Sequence, residues 1–248
     1  MREDLSDARA CIDWAETQLP RLNNRIRAWR NNSPYRFIKE QHLEMGQTLF
    51  KLADVKPISP LINVEAGLII HSLRSSLDLL AVALAERNGH RSPTDVYFPI
   101  GKSAQDFIDP VNGAIKKIDR LSERHRATIK SLKPYKGGDD LLFALHQLDI
   151  VRKHRRLLDV RMDPSIMIVA AEGPNTGLEF PTVWPGLKND AVVAWTHISA
   201  ADTQIQITLE IAFEGTGLPI VEGKFVPLIL PEFYGKVSSI IKMFDTTE

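Results

Sequence analysis

The chain has 248 residues, and its 31 Lys and Arg balance its 31 Asp and Glu, which argues against a global electrostatic footprint for nucleic acid or an anionic membrane. An apolar fraction of 44% beside a charged fraction of 25% is ordinary for a globular protein and leaves ample material for a core. The lone cysteine, Cys11, excludes an intramolecular disulfide framework and a cysteine-based zinc site, and its helical surroundings read as those of a small core residue.

The opening segment, through Trp14, is charged and lacks an apolar run, so it does not read as a signal peptide. From Asp7 to Trp29 the residues Ala8, Ile12, Ala15, Leu19, Leu22, Ile26 and Trp29 recur at three- and four-residue steps, which predicts an amphipathic helix kinked at Pro20. Tyr35–Leu43 and Thr48–Leu52, parted by Met45-Gly46, predict a β-hairpin. Pro57 and Pro60 precede a long apolar helix that stops near Asn88-Gly89. Its apolar stretch, Leu61–Ala85, is broken by Glu65, His71, Arg74 and Asp78, which reads as a buried helix of a soluble protein and not a membrane span. A cytoplasmic setting without a membrane partner is the default expectation.

Ser103 and Ser122 are predicted caps of short helices over Ala104–Ile108 and Glu123–Leu132, and Asp139 of a further helix that reaches Leu157. Leu157–Met162 and Ile166–Ala170 read as two strands around an Asp163-Pro164-Ser165 turn. Glu172–Asp190, rich in Gly and Pro, reads as a long loop. Ala191–Ile198 and Thr203–Phe213 read as strands, the second turning Ile205, Ile207, Leu209 and Ile211 inward. Phe225–Leu230 reads as a last strand, with Pro231 in the first turn of a C-terminal helix through Phe244. Strands on both sides of the main helices predict one α+β domain over residues 1–248, its helical core at about 60–158, a mainly β region at about 157–230 and a C-terminal helix at about 231–245. The expected architecture is a helical bundle with an antiparallel sheet and the C-terminal helix packed against it.

Two polar clusters interrupt the most apolar helices. His71, Arg74 and Asp78 share a face with Gly67, Ala81 and Ala85, whose small side chains let protein come close; Glu65, Ser72, Ser76 and Arg87 on the other side are expected to meet solvent. His146, Asp149 and Lys153 share a face of the second helix, with His154 to one side. Burying an unpaired charge costs several kcal/mol, so these groups need partners. One reading is an interhelical network that pairs Arg74 with Asp149, and Asp78 with Lys153 or a histidine. The other is a site in which His154 acts as acid or base while Lys153 and Arg74 hold an anionic substrate such as a phosphodiester. A metal site is disfavoured, because the Glu-x-x-His and His-Glu-x-x-His patterns are missing and cations share both faces. No cofactor is expected.

LRSSLDLL at Leu73–Leu80, FPI at Phe98–Ile100, KPY at Lys133–Tyr135 and LDIVRKHRRL at Leu148–Leu157 form a spaced series. In that series the chain resembles a widespread family of bacterial proteins with an LR-S-x-L-D helix, an FPI loop, a PY corner and a helix ending in KHR. The resemblance brings no activity with it. Two departures are Arg152, where members often carry an acid, and Leu79-Leu80, where they often carry a histidine. A more distant similarity is to HEPN-type helical ribonuclease domains, marked by an Arg, four to six residues and a His. Arg120 and His125 meet that spacing, but at a position that reads as a solvated helix start.

Lys116, Lys117, Arg120, Arg124, His125, Arg126 and Lys130, with Lys133, Lys136 and Arg152–Arg156, offer a phosphate-binding surface or, more simply, solvated helix faces. Gly101-Lys102-Ser103 lacks the upstream glycine of a P-loop. Phe180, Trp184 and Trp195 read as core or interface residues. The expected function is therefore a cytoplasmic binding or accessory protein, dimeric in one variant of that reading, with a structural network of His71, Asp78, His146 and Asp149. The alternative is a HEPN-like, metal-independent ribonuclease of phage defence, with RNA as partner and His154, Lys153 and Arg74 as its catalytic residues.

Overall fold

The computed structural model of the chain describes residues 3–154, 157–170, 177–183, 186, 188–197 and 204–245. Helix α1 spans Ser6–Asn31, strands β1 and β2 Arg36–His42 and Gln47–Ala53, and helix α2 Pro60–Arg87. Then come the short helices α3 (Ala104–Ile108) and α4 (Glu123–Ser131) and helix α5 (Asp140–His154). Strands β3 (Val160–Ala170), β4 (Val192–His197) and β5 (Gln204–Phe213) follow, and helix α6 (Val226–Asp245) closes the fold. The architecture is α+β, as its helix, strand and loop patterns predict.

α2 is the central post. It is buried on nearly every side because α1, α5 and α6 all pack on it. It is the single helix among the described residues long and apolar enough to cross a membrane, and most of its apolar window lies inside the protein. Its second side does not meet solvent as expected. α1 covers it: Ser76 is fully buried, the Ser72 hydroxyl donates to the Cys11 carbonyl at 2.9 Å, and Arg25 pairs with Glu65. Cys11 itself is only partly buried.

The strands form two antiparallel ladders, β1-β2-β4 and β3-β5, in place of a single sheet. β2 joins the hairpin before the helices to β4 after them, so the link across the domain does exist. Phe50 and Leu52 of β2, Val193 of β4, Met162 of β3, and Ile207 and Leu209 of β5 build a small core from both ladders. Further along β5, Ile211 and Phe213 enter the main helical core, so this strand joins the two cores. Ile198, Thr203 and the Ile205 side chain lie outside the described residues.

Two further expectations are corrected. β3 runs unbroken through Asp163-Pro164-Ser165, because the register shifts between Pro164 and Ile166 and accommodates a residue without an N–H. Phe225–Leu230 is not a strand: α6 begins at Val226, and Pro227, not Pro231, takes the first-turn position where proline is tolerated. The buried residues Val226, Ile229, Leu230, Phe233, Val237, Ile240 and Phe244 recur at helical steps from the first of them.

Candidate functional site: a polar brace and the cleft beside it

α2 and α5 present their polar faces to one another, but the partners differ from those expected. Arg74 does not reach Asp149. Its Nη1 donates to Asp78 Oδ1, one helical turn on, at 2.7 Å. Its Nη2 donates to the Phe98 carbonyl at 3.0 Å, and its Nε donates to His146 Nδ1 on α5 at 3.2 Å. Asp78 Oδ1 also accepts the Phe98 N–H at 2.9 Å. The Arg74–Asp78 pair thus grips both ends of the Phe98 residue, much as a neighbouring strand would, while Arg74 reaches α5. Arg74 is 4% exposed, which makes this fork of bonds necessary.

Asp149 is 2% exposed and carries the second part of the brace. His71 Nδ1 lies 2.9 Å from its Oδ1, and Lys153 Nζ lies 2.7 Å from its Oδ2. An ionised carboxylate can only accept, so the proton on His71 sits at Nδ1. The His71 and Lys153 side chains are 38% and 36% exposed, so this end of the brace is wet.

The resembling motifs converge here. LRSSLDLL supplies Arg74 and Asp78, and FPI supplies the gripped backbone. Gly101, next after FPI, donates its N–H to the Pro134 carbonyl of the PY corner at 3.0 Å. A Cβ at Gly101 would lie 2.8 Å from Phe107 Cβ and 3.0 Å from its Cα, so this corner closes only around glycine. The corner leads to Asp139, which accepts the Leu142 N–H at 3.0 Å as a cap of α5 and takes Lys236 Nζ of α6 at 2.8 Å. Arg152, at the departure before KHR, lays its stem across Gly67 of α2, where a Cβ would meet its Cδ at 2.9 Å.

His146 is the most perturbed titratable group of the site. Burial, then the positive charges of Arg74 and Lys117, push its pKa down to about 4. Its tautomer is fixed as well: Arg74 is always protonated and donates to Nδ1, so the ring proton lies on Nε2. That nitrogen has no hydrogen-bond partner among the described residues. His146 lines a cleft of about 410 Å³ between the loop after FPI and α5, together with Lys102, Asn112, Lys117, Phe143 and Gln147. Neither the cleft nor the role of Lys117 was visible in the sequence, because Lys117 is brought in by a short 3-10 helix, Ala114–Ile118, far from α5 along the chain.

The remaining candidates are dispersed. His154 is exposed at the end of α5, and among the described residues no hydrogen bond or ion pair joins it to Lys153 or Arg74. Arg155, Arg156 and Trp184 lie outside the described residues. Arg120 is exposed and pairs with Asp95 at 2.9 Å, whereas His125 is buried with its ring 5.8 Å from that of Phe244, so the two do not form the solvated helix start expected of them. Lys116 pairs with Asp119. Trp195 donates to Glu179 at 2.9 Å, and Phe180 is 38% exposed. Among the described residues no group of three or more His, Cys, Asp or Glu is placed to hold a metal ion.

Fold and site together define an α+β protein with a buried polar brace. Comparison of the chain with protein-family models, with curated proteins and with solved structures gives no match in any of the three.

Proposed function

We propose that this is a binding or accessory protein in which His71, Arg74, Asp78, His146 and Asp149 are structural. The observation that carries the reading is Arg74: nearly sealed from solvent, its guanidinium is already shared among Asp78, the Phe98 carbonyl and His146. A guanidinium that gathers a phosphodiester must have donors to offer in the open, and this one is buried with three of its five N–H groups already engaged by the protein. Lys153 is likewise paired with Asp149.

The ribonuclease reading draws its support from one feature, the exposure of Lys153 and His154 at the end of α5. Incubating mixed RNA with the purified protein in EDTA, beside a His154→Ala variant checked for an unchanged melting curve, decides between them. The binding reading expects intact RNA from both proteins. Cleavage by the parent protein that vanishes in the folded variant would replace it with a metal-independent nuclease.

A further inference from the structure

We propose that the cleft beside His146 binds a small phosphomonoester, its phosphate held by Lys102, Lys117 and the His146 Nε2–H and its body lying along Phe143. This rests on the binding reading and gives that reading a ligand class.

The cleft is rich in donors that the fold does not consume. Arg74 occupies His146 Nδ1, which turns the ring so that a fixed N–H, free of any partner among the described residues, is left for the cleft. A neutral imidazole locked as a donor is of little use for packing, but it is a ready hydrogen bond for an anion. The Lys117 ammonium acts on the His146 ring electrostatically and lies 6.0 Å from the centre of the Tyr97 ring, with no carboxylate paired to it among the described residues. Lys102 also lines the cleft. The one carboxylate in the lining, Asp106, accepts the Lys102 backbone N–H at 2.8 Å.

Two cations and a neutral N–H match a dianion that offers three terminal oxygens better than a monoanionic carboxylate. The space exceeds what a bare phosphate fills. The apolar part of its lining, Ile100, Phe143 and Ile150, suits an organic body. A second cleft of about 460 Å³ borders the first at Lys102 and Phe143 and is lined further by Lys136, Asp140 and Leu218.

The test is a titration of the whole protein with phenyl phosphate, inorganic phosphate and a short oligoribonucleotide. The His146 imidazole resonance, assigned by comparison with His146→Gln, is followed beside calorimetry. Phenyl phosphate should shift the resonance saturably at or below about 1 mM and bind several-fold tighter than inorganic phosphate. Lys117→Gln, a change at an exposed side chain that should leave the melting temperature unaltered, should weaken it roughly tenfold, the loss of one charge-assisted hydrogen bond. Absence of a saturable shift, or equal affinity in Lys117→Gln, would overturn the proposal. So would tighter binding of the oligoribonucleotide, a phosphodiester, which would assign the cleft to nucleic acid. Each of these leaves the binding reading standing for other ligands; RNA cleavage in the separate assay is what removes that reading.

Discussion

Arg74→Ala should lower the free energy of unfolding by about 3–5 kcal/mol, the range found when one partner of a buried ion pair is removed. The loss compounds three effects. The Asp78 carboxylate, 29% exposed, loses its cation; the Phe98 carbonyl loses its donor; and His146 loses the bond that fixes its ring. In a chain of this size the change corresponds to a fall in melting temperature of roughly 10 °C. Arg74→Lys should recover only part of it, since one ammonium on a flexible stem cannot serve three acceptors in three directions. Urea titration of the parent and both variants checks the order parent, Lys, Ala. An Ala variant as stable as the parent would mean that the bonds seen at Arg74 contribute nothing net.

The second large effect is a dependence of stability on pH that belongs to His146. In the unfolded chain this residue titrates near 6.5, and in the folded protein burial and Arg74 hold it down to about 4. Between those values the unfolded state binds the extra proton, so stability rises with pH. The His146 contribution is complete above about pH 6.5 and is lost as pH falls towards about 4, where the folded protein must accept a cation beside Arg74. A displacement of that size is worth roughly 3 kcal/mol. Other groups titrate in the same window, so the measured quantity is the difference between the parent and His146→Asn, whose amide oxygen falls near the Nδ1 position and can still accept from Arg74 Nε. The parent should lose roughly 3 kcal/mol more than the variant across the window. Equal losses would mean that His146 is not held neutral.

Much of this arrangement is legible before any coordinates. Serine caps, proline positions and three-and-four spacing locate α2, α3 and α4, and the same spacing puts His71 with Arg74 and His146 with Asp149 on shared faces. Spacing identifies faces but not partners. Arg74 could have reached Asp149 as readily as Asp78, and the choice depends on how far apart the helices stand at each level. The grip on Phe98 was beyond reach for another reason: its N–H and C=O are backbone groups that any residue would offer. The misreadings are equally specific. Phe225–Leu230 is a short apolar run next to a proline, which fits a strand or a helix start until the burial pattern of α6 is known. Asp163-Pro164-Ser165 has the composition of a turn and lies within a strand, at a shift of register. Ser76 is polar and fully buried because α1, distant in sequence, lies over it.

If the polar groups between α2, the Phe98 loop and α5 hold the scaffold together, as proposed, Arg74 and Asp78 are coupled in energy. A double-mutant cycle on Arg74→Ala and Asp78→Ala, read as unfolding free energies in urea, measures that directly, because these two side chains share the grip on Phe98. A cooperative brace predicts that the two losses fall short of additivity by at least about 1 kcal/mol, since either change alone already opens the clamp. Additive losses, each within about 0.5 kcal/mol of a neutral surface change, would contradict it and return Arg74 to the pool of groups available for chemistry.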